Sequence, residues 1–274
     1  MERTHTKGSA TLWLLLACVC HSGCGAPQEA PRVQVPVATD PSGIEPVTTD
    51  LGYRVELSEA RAIIEDLRFT IAGEVHTASL WQRWARVLLP RARAHPGHHQ
   101  DGDVTGEMRG RFVIDWLATD PASLGDATLI AGTYKSVNFT LARGTTDDGL
   151  APDDPLLGHT ALLRGTASKS GNSIAFVARI ASPEGRELIG APFEQDVGPN
   201  SQLRLGLRLL PRDPFEGDTL FDGIDFAALP TDANGTCQLA ASASDTATQN
   251  AYYQLRRTFQ THDHFAMHAI GGEG

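Results

Sequence analysis

The stretch "QLRLGLRLL", Gln202 to Leu210, alternates with a period of two. Leu203, Leu205, Leu207 and Leu209 share one face, while Arg204 and Arg208 fall on the other. Successive side chains of an extended chain point to opposite sides, so this run predicts a half-buried antiparallel strand. Further strand-like runs are "RFVIDWLA" (Arg111 to Ala118), "TYKSVNFTLA" (Thr133 to Ala142), "TALLRGTAS" (Thr160 to Ser168) and "SIAFVARIA" (Ser173 to Ala181). In "YRVELSEARAIIEDLRFTI", the apolar positions Tyr53, Val55, Leu57, Ala62, Ile64, Leu67, Phe69 and Ile71 fit two consecutive strands or one long bent one. Turn-forming clusters such as "GTTDDGLAPDDP", "SKSGNS" and "SPEGRE" separate the runs. Many short strands between such turns predict a mainly β fold, an antiparallel β-sandwich of immunoglobulin-like or related type with one or two short helices. The helices are expected in "ASLWQRWARVLL", which Pro90 ends, and in "SDTATQNAYYQLRRTF", where Ala251, Leu255 and Phe259 are four apart.

The N-terminus reads as an export signal. Arg3 and Lys7 precede an apolar run from Ala10 to Val19, too short for the about 20 residues that span a bilayer. Cys18, Cys20 and Cys24 cluster at its end, and "LLAC" resembles the lipobox whose cysteine is acylated in bacterial lipoproteins. Cys18 is the expected lipidation site, with Cys24 as the alternative. The expected localisation is therefore exported, with a lipid anchor to the cell envelope at the outer membrane or periplasmic face. Cys237, in "DANGTCQLA", is expected to sit inert in a loop; it could also pair with Cys20 or Cys24 in an oxidising compartment. Residues 25–50 carry five prolines and few large apolar residues, and predict a disordered tether. The domain boundaries that follow are 1–24 signal region, 25–50 tether and 51–274 a single β-sandwich domain. The net charge of −10, without any Lys/Arg-rich run, argues against nucleic acid as a partner.

Histidine distribution is the main chemical signal. Among ten histidines, His95, His98 and His99 fall in "HPGHH", and His262, His264 and His268 in "THDHFAMH". Imidazole is a frequent ligand of Zn, Cu and Ni, and the Pro-Gly pair would turn His95 and His98 toward one centre. His262 and His264 share a face if extended, whereas His264 and His268 do so if helical. Beyond the initiator the only methionines, Met108 and Met267, each lie near a cluster, and a thioether is a soft ligand for Cu(I). Against this stands the plainer reading of a solvated His-rich loop, since no zinc-finger spacing is present.

Other residues have quieter expectations. His76 and His159 are expected at the surface or hydrogen-bonded, and Trp81, Trp84 and Trp116 in the core. "DDGLAPDDP" is expected to be a solvated loop, and Asp115 a structural carboxylate. No GxSxG, HExxH, P-loop or dinucleotide fingerprint is present, so the chain is expected not to be an enzyme.

The order of "AHPGHH", "GDVTGEM", "FVIDWL", "AGTYKSVNFTLAR", "LRLGLRLLP" and a final "HDHF" resembles that of a group of bacterial lipoproteins. More distantly, it is similar to the methanobactin-associated periplasmic copper-binding domain. That resemblance implies a β-sandwich and histidine ligands, with a tryptophan close to the metal. It carries onto His95, His98, His99 and His264. The expectation is a lipid-anchored envelope protein that binds copper, with zinc as the alternative, for storage, sensing or transfer. His262, His268, Met108 and Met267 are possible extra ligands, and the expected partners are the membrane, the metal ion and an envelope protein. The competing expectation is a non-catalytic scaffold or adhesion module without a specific metal site.

Overall fold

The computed structural model of the protein describes residues 31–71, 104–120 and 122–270. Through them the chain runs β1 (Arg32–Thr39), β2 (Val47–Thr48), β3 (Arg54–Thr70), β4 (Val104–Asp115), β5 (Ser123–Ile130) and β6 (Gly132–Ala142). It continues with β7 (Ala161–Lys169), β8 (Asn172–Ile180), β9 (Arg186–Val197), β10 (Arg204–Leu209), β11 (Thr236–Leu239), helix α1 (Thr246–Phe259) and β12 (Phe265–Ile270). The strands form a mainly β, mixed sheet ordered β11-β8-β7-β3-β4-β5-β1-β10-β12, with β2 and β6 also on β3, and β9 on β6.

The apolar run after Tyr53 is one strand, and it joins the two halves of the sheet. Along one edge, Arg54–Ala62 of β3 pairs with β7, and from Ile63 onward the same edge pairs with β6. Irregular register between Leu57 and Glu59 against β7, and between Glu65 and Leu67 against β4, bends it, with Asp66 at a φ of 51°. At the far margins β12 packs against β9. The core is continuous through both halves, with Phe69, Trp116, Tyr134, Phe139, Phe193 and Phe265 fully buried. Trp116 is a core residue as expected, and its indole N–H donates to the Leu207 carbonyl at 3.0 Å.

Two expectations about organisation are corrected. The stretch expected as a tether contains β1, which pairs with β5 and β10 in the middle of the sheet. Val33, Val35 and Val37 are buried while Arg32, Gln34 and Pro36 are exposed, so burial of a period-two apolar face outweighs the proline content. The folded unit therefore begins at Pro31 rather than Leu51. The sheet is also mixed rather than antiparallel. β10 runs antiparallel to β12 but parallel to β1, and β11 runs parallel to β8.

Smaller expectations divide similarly. The "ATQNAYYQLRRTF" helix forms, capped by the Asp245 carboxylate accepting from the Thr248 N–H at 2.7 Å. The "ASLWQRWARVLL" helix, Trp81 and Trp84 lie outside the described residues. Cys237 sits buried on β11 rather than in a loop, as a free thiol whose pKa burial pushes up to about 11. The "DDGLAPDDP" loop is not simply solvated: Asp148 pairs with Arg111 at 2.7 Å and Asp154 with Arg61 at 2.9 Å. Asp115 is structural, accepting the Leu117 N–H at 3.0 Å. His159 is hydrogen-bonded as expected, its Nδ1 meeting the Leu157 carbonyl at 2.9 Å. Among the described residues, no helix is long and apolar enough to cross a membrane.

Candidate functional site

The register across β3, β4, β5, β1, β10 and β12 separates the two ends of the sheet. Thr70 and Val104, which flank the segment carrying the first histidine cluster, lie at one end. Leu209 and Phe265 lie at the other. The offset is on the order of 30 Å along the strands, at about 3.3 Å per residue. His95, His98 and His99 are outside the described residues, as are Cys18 and Cys24. The C-terminal cluster can be placed in full.

Its chain leaves α1 through a one-turn 3-10 segment, His262–His264, before entering β12. All three residues of this turn are buried. His264 is fixed from both sides by Leu210. The Leu210 N–H donates to the His264 carbonyl at 2.8 Å, and His264 Nδ1 meets the Leu210 carbonyl at 2.8 Å. A carbonyl can only accept, so Nδ1 carries the hydrogen and Nε2 of the neutral ring keeps its lone pair. Burial lowers the pKa of this imidazole; the bond to Leu210 and the charges of Asp218, Asp263 and Asp222 oppose that. His262 Nε2 lies 2.8 Å from the Asp263 carboxylate.

The strand that holds His264 leads into "PRDPFEGDTLFDG", a tight acidic loop. It is closed by a bridge between Arg212 and Thr219, and by the Asp213 N–H donating to the Asp218 carbonyl at 2.9 Å. The buried Asp213 carboxylate caps the turn inside it, accepting the N–H groups of Phe215 at 2.7 Å and Glu216 at 3.1 Å. Carboxylate oxygens of Asp213, Glu216 and Asp218 all lie within 4.8 Å of one another. Burial pushes the Asp213 carboxyl up to about 6; its two N–H bonds pull the other way, and the charges of Asp263 and Asp218 add to the rise. The sequence reading missed these three residues. Their signal is the spacing Asp-Pro-Phe-Glu-Gly-Asp, in which Gly217 at a φ of 78° completes the turn.

The other candidates lie elsewhere. Met267 faces the core from β12, opposite Leu207, and Met108 faces it from β4, opposite Leu67. His268 stands four residues beyond His264, half-exposed, beside Asp40 and Arg208. The structure thus places His264 within electrostatic reach of Asp218 and Asp222 of the acidic loop, while its ring nitrogens stand outside the close carboxylate group and His268 and both methionines lie elsewhere. Comparison with known protein families, curated proteins and solved structures finds no match to the chain.

Proposed function

We propose that this is an exported, non-catalytic cell-envelope protein that binds a divalent transition-metal ion at the end of its sheet. His264 would supply Nε2, and Asp213, Glu216 and Asp218 would supply oxygens. The observation that supports this reading is the convergence of three carboxylates, with a buried imidazole, its Nδ1 already spent on a backbone carbonyl, within electrostatic reach of Asp218. Such a carbonyl bond is how proteins fix the tautomer of a ligating histidine. A cation would also relieve the mutual repulsion of Asp213, Asp218 and Asp263. Imidazole and carboxylate donors suit Zn2+ or Cu2+; Cu+, which prefers thioether, is disfavoured because both methionines are committed to the core.

The broader setting stays with the sequence reading: lipidation at Cys18 or Cys24, membrane attachment, and storage, sensing or transfer of the ion to an envelope partner. Within this proposal the body is a β-sandwich whose two halves share β3. The histidines of "HPGHH" would bind a metal ion independently of these ligands.

Elemental analysis of the full chain tests this proposal, with an Asp213→Asn/Asp218→Asn variant and a His95→Ala/His98→Ala/His99→Ala variant beside it. The expected result is bound zinc or copper that the first variant loses and the second retains at one equivalent. Metal-free protein after periplasmic expression, in wild type and both variants, would contradict it.

A further inference from the structure

The outer face of β10 and β12 holds a second charged cluster, unconnected with the proposed metal ligands. Asp40 follows β1 and is nearly buried; Arg208 is on β10 and His268 on β12, both half-exposed. The three meet over Gly206, which pairs with His268 across the β10–β12 ladder. A Cβ at position 206 would lie 2.8 Å from Asp40 Cβ and 3.3 Å from His268 Nε2, so glycine is what leaves room for the cluster. Asp40 is fixed independently by Ser42, whose N–H and hydroxyl both donate to it at 2.9 Å.

The hydrogen bonds within the cluster depend on one proton. Arg208 Nε–H donates to Asp40 Oδ2 at 2.9 Å and also lies 2.7 Å from His268 Nε2. Arg208 Nη2 contacts His268 Nδ1, and His268 Nε2 contacts Asp40 Oδ2. Thus both ring nitrogens have an arginine N–H within reach. A neutral imidazole has one lone-pair nitrogen in either tautomer, so in either it accepts one arginine N–H. The imidazolium has no lone pair and can accept none, while its attraction to Asp40 strengthens. It also carries the same charge as the neighbouring guanidinium.

We infer that Asp40, Arg208 and His268 form a proton-operated clasp: protonation of His268 releases Arg208 from the ring while Asp40 keeps hold of β12. The proton is taken from solvent onto the lone-pair nitrogen, and no covalent bond other than that N–H forms. Asp40 and Arg208 are the charged groups bonded to the ring. Of the elements packed against β12, β10 also carries Arg204, and the preceding turn His262, Asp263 and His264. β9 carries Arg186, Glu187, Glu194 and Asp196; of these, Glu187 pairs with Arg68 and Glu194 with Lys135. β6 contributes that same Lys135.

The test is 15N nuclear magnetic resonance of the full chain across the titration of His268. The account expects the protection of the Arg208 Nη2–H, which faces His268 Nδ1, to fall several-fold as His268 protonates, while the Nε–H stays held by Asp40 Oδ2. In His268→Gln, whose side chain can still accept from Arg208 and donate to Asp40 but does not titrate, that protection should not change with proton uptake. The His268 midpoint should move up in pH in Arg208→Gln, which removes a repelling cation, and down in Asp40→Asn. Unchanged Arg208 protection across the wild-type titration would overturn the clasp, as would an unmoved midpoint in Arg208→Gln. Both readouts remain decisive if Asp40→Asn fails to fold.

Discussion

Asp40 and Asp213 are both buried aspartates, one packed against β10 and the other in the loop that follows it, yet the fold treats them oppositely. Burial works against the charge of each. At Asp40, the Ser42 N–H, Arg208 and His268 outweigh that effect and hold the carboxyl at about 2. At Asp213, two N–H bonds are not enough against burial and the neighbouring carboxylates, and the carboxyl rises to about 6. The difference is the sign of the nearest charges. Asp40 is bonded to the Arg208 guanidinium, whereas the charges that act on Asp213 are those of Asp263 and Asp218.

The comparison can be broken first at Asp40. Asp40→Asn removes hydrogen bonds to the Arg208 guanidinium and to His268 and should destabilise the fold by about 2 kcal/mol, given the roughly 1.5–3 kcal/mol typical of bonds to charged partners. Because the native pKa lies below the ordinary 3.8, the carboxylate's contribution is present above about pH 4 and is lost as pH falls toward 2. Urea melts from pH 7 down to pH 2.5 should show the gap between variant and wild type narrowing over that window. A gap that stays constant with pH would mean that the charge of Asp40 does not matter.

Asp213 should respond with the opposite sign. Its native pKa is raised, so the fold favours the protonated form, and the stability this brings is lost as pH rises through about 6. Metal-free Asp213→Asn should therefore gain about 1 kcal/mol relative to wild type between pH 5 and pH 8, less than the full shift of roughly 1.4 kcal/mol per unit because the amide has one oxygen to accept the N–H groups of Phe215 and Glu216. Thermal melts in chelator measure it. A loss at pH 8 would show that the carboxylate is already satisfied within the chain.

The smallest expected effect sharpens the boundary of the site. Met267→Leu conserves volume in the core and should cost below about 1.5 kcal/mol. Since Met267 faces Leu207 rather than the acidic loop, the substitution should leave metal content unchanged. Lost metal would return the thioether to the ligand set.

Much of the fold was legible in single residues. The leucine alternation marked β10, and Ala251, Leu255 and Phe259 marked α1 correctly. β1 was misread although Val33, Val35 and Val37 show the same period, because Pro31, Pro36 and Pro41 suggested a tether. Pro36 is tolerated where only β5 pairs with β1, since the β10 ladder begins at Val37. The parallel pairings could not be read at all, for strand direction is set by partners far away in sequence.

The proposed site was half legible. His264 was chosen from its cluster, but Asp213, Glu216 and Asp218 look no different on paper from Asp148 and Asp154. What distinguishes the two loops is distant: Arg61 and Arg111 come from β3 and β4 to neutralise the second, and no equivalent ion pair to the first is seen among the described residues. Charge compensation is a property of the folded neighbourhood, so local composition cannot report it.

The most direct test is equilibrium dialysis of the full chain against Zn2+ and, separately, Cu2+ at pH 7.5, comparing wild type with Asp213→Asn/Asp218→Asn. The account predicts that the variant stays folded and binds one equivalent fewer of at least one of these ions. Equal stoichiometry and affinity in the two proteins for both ions would contradict it.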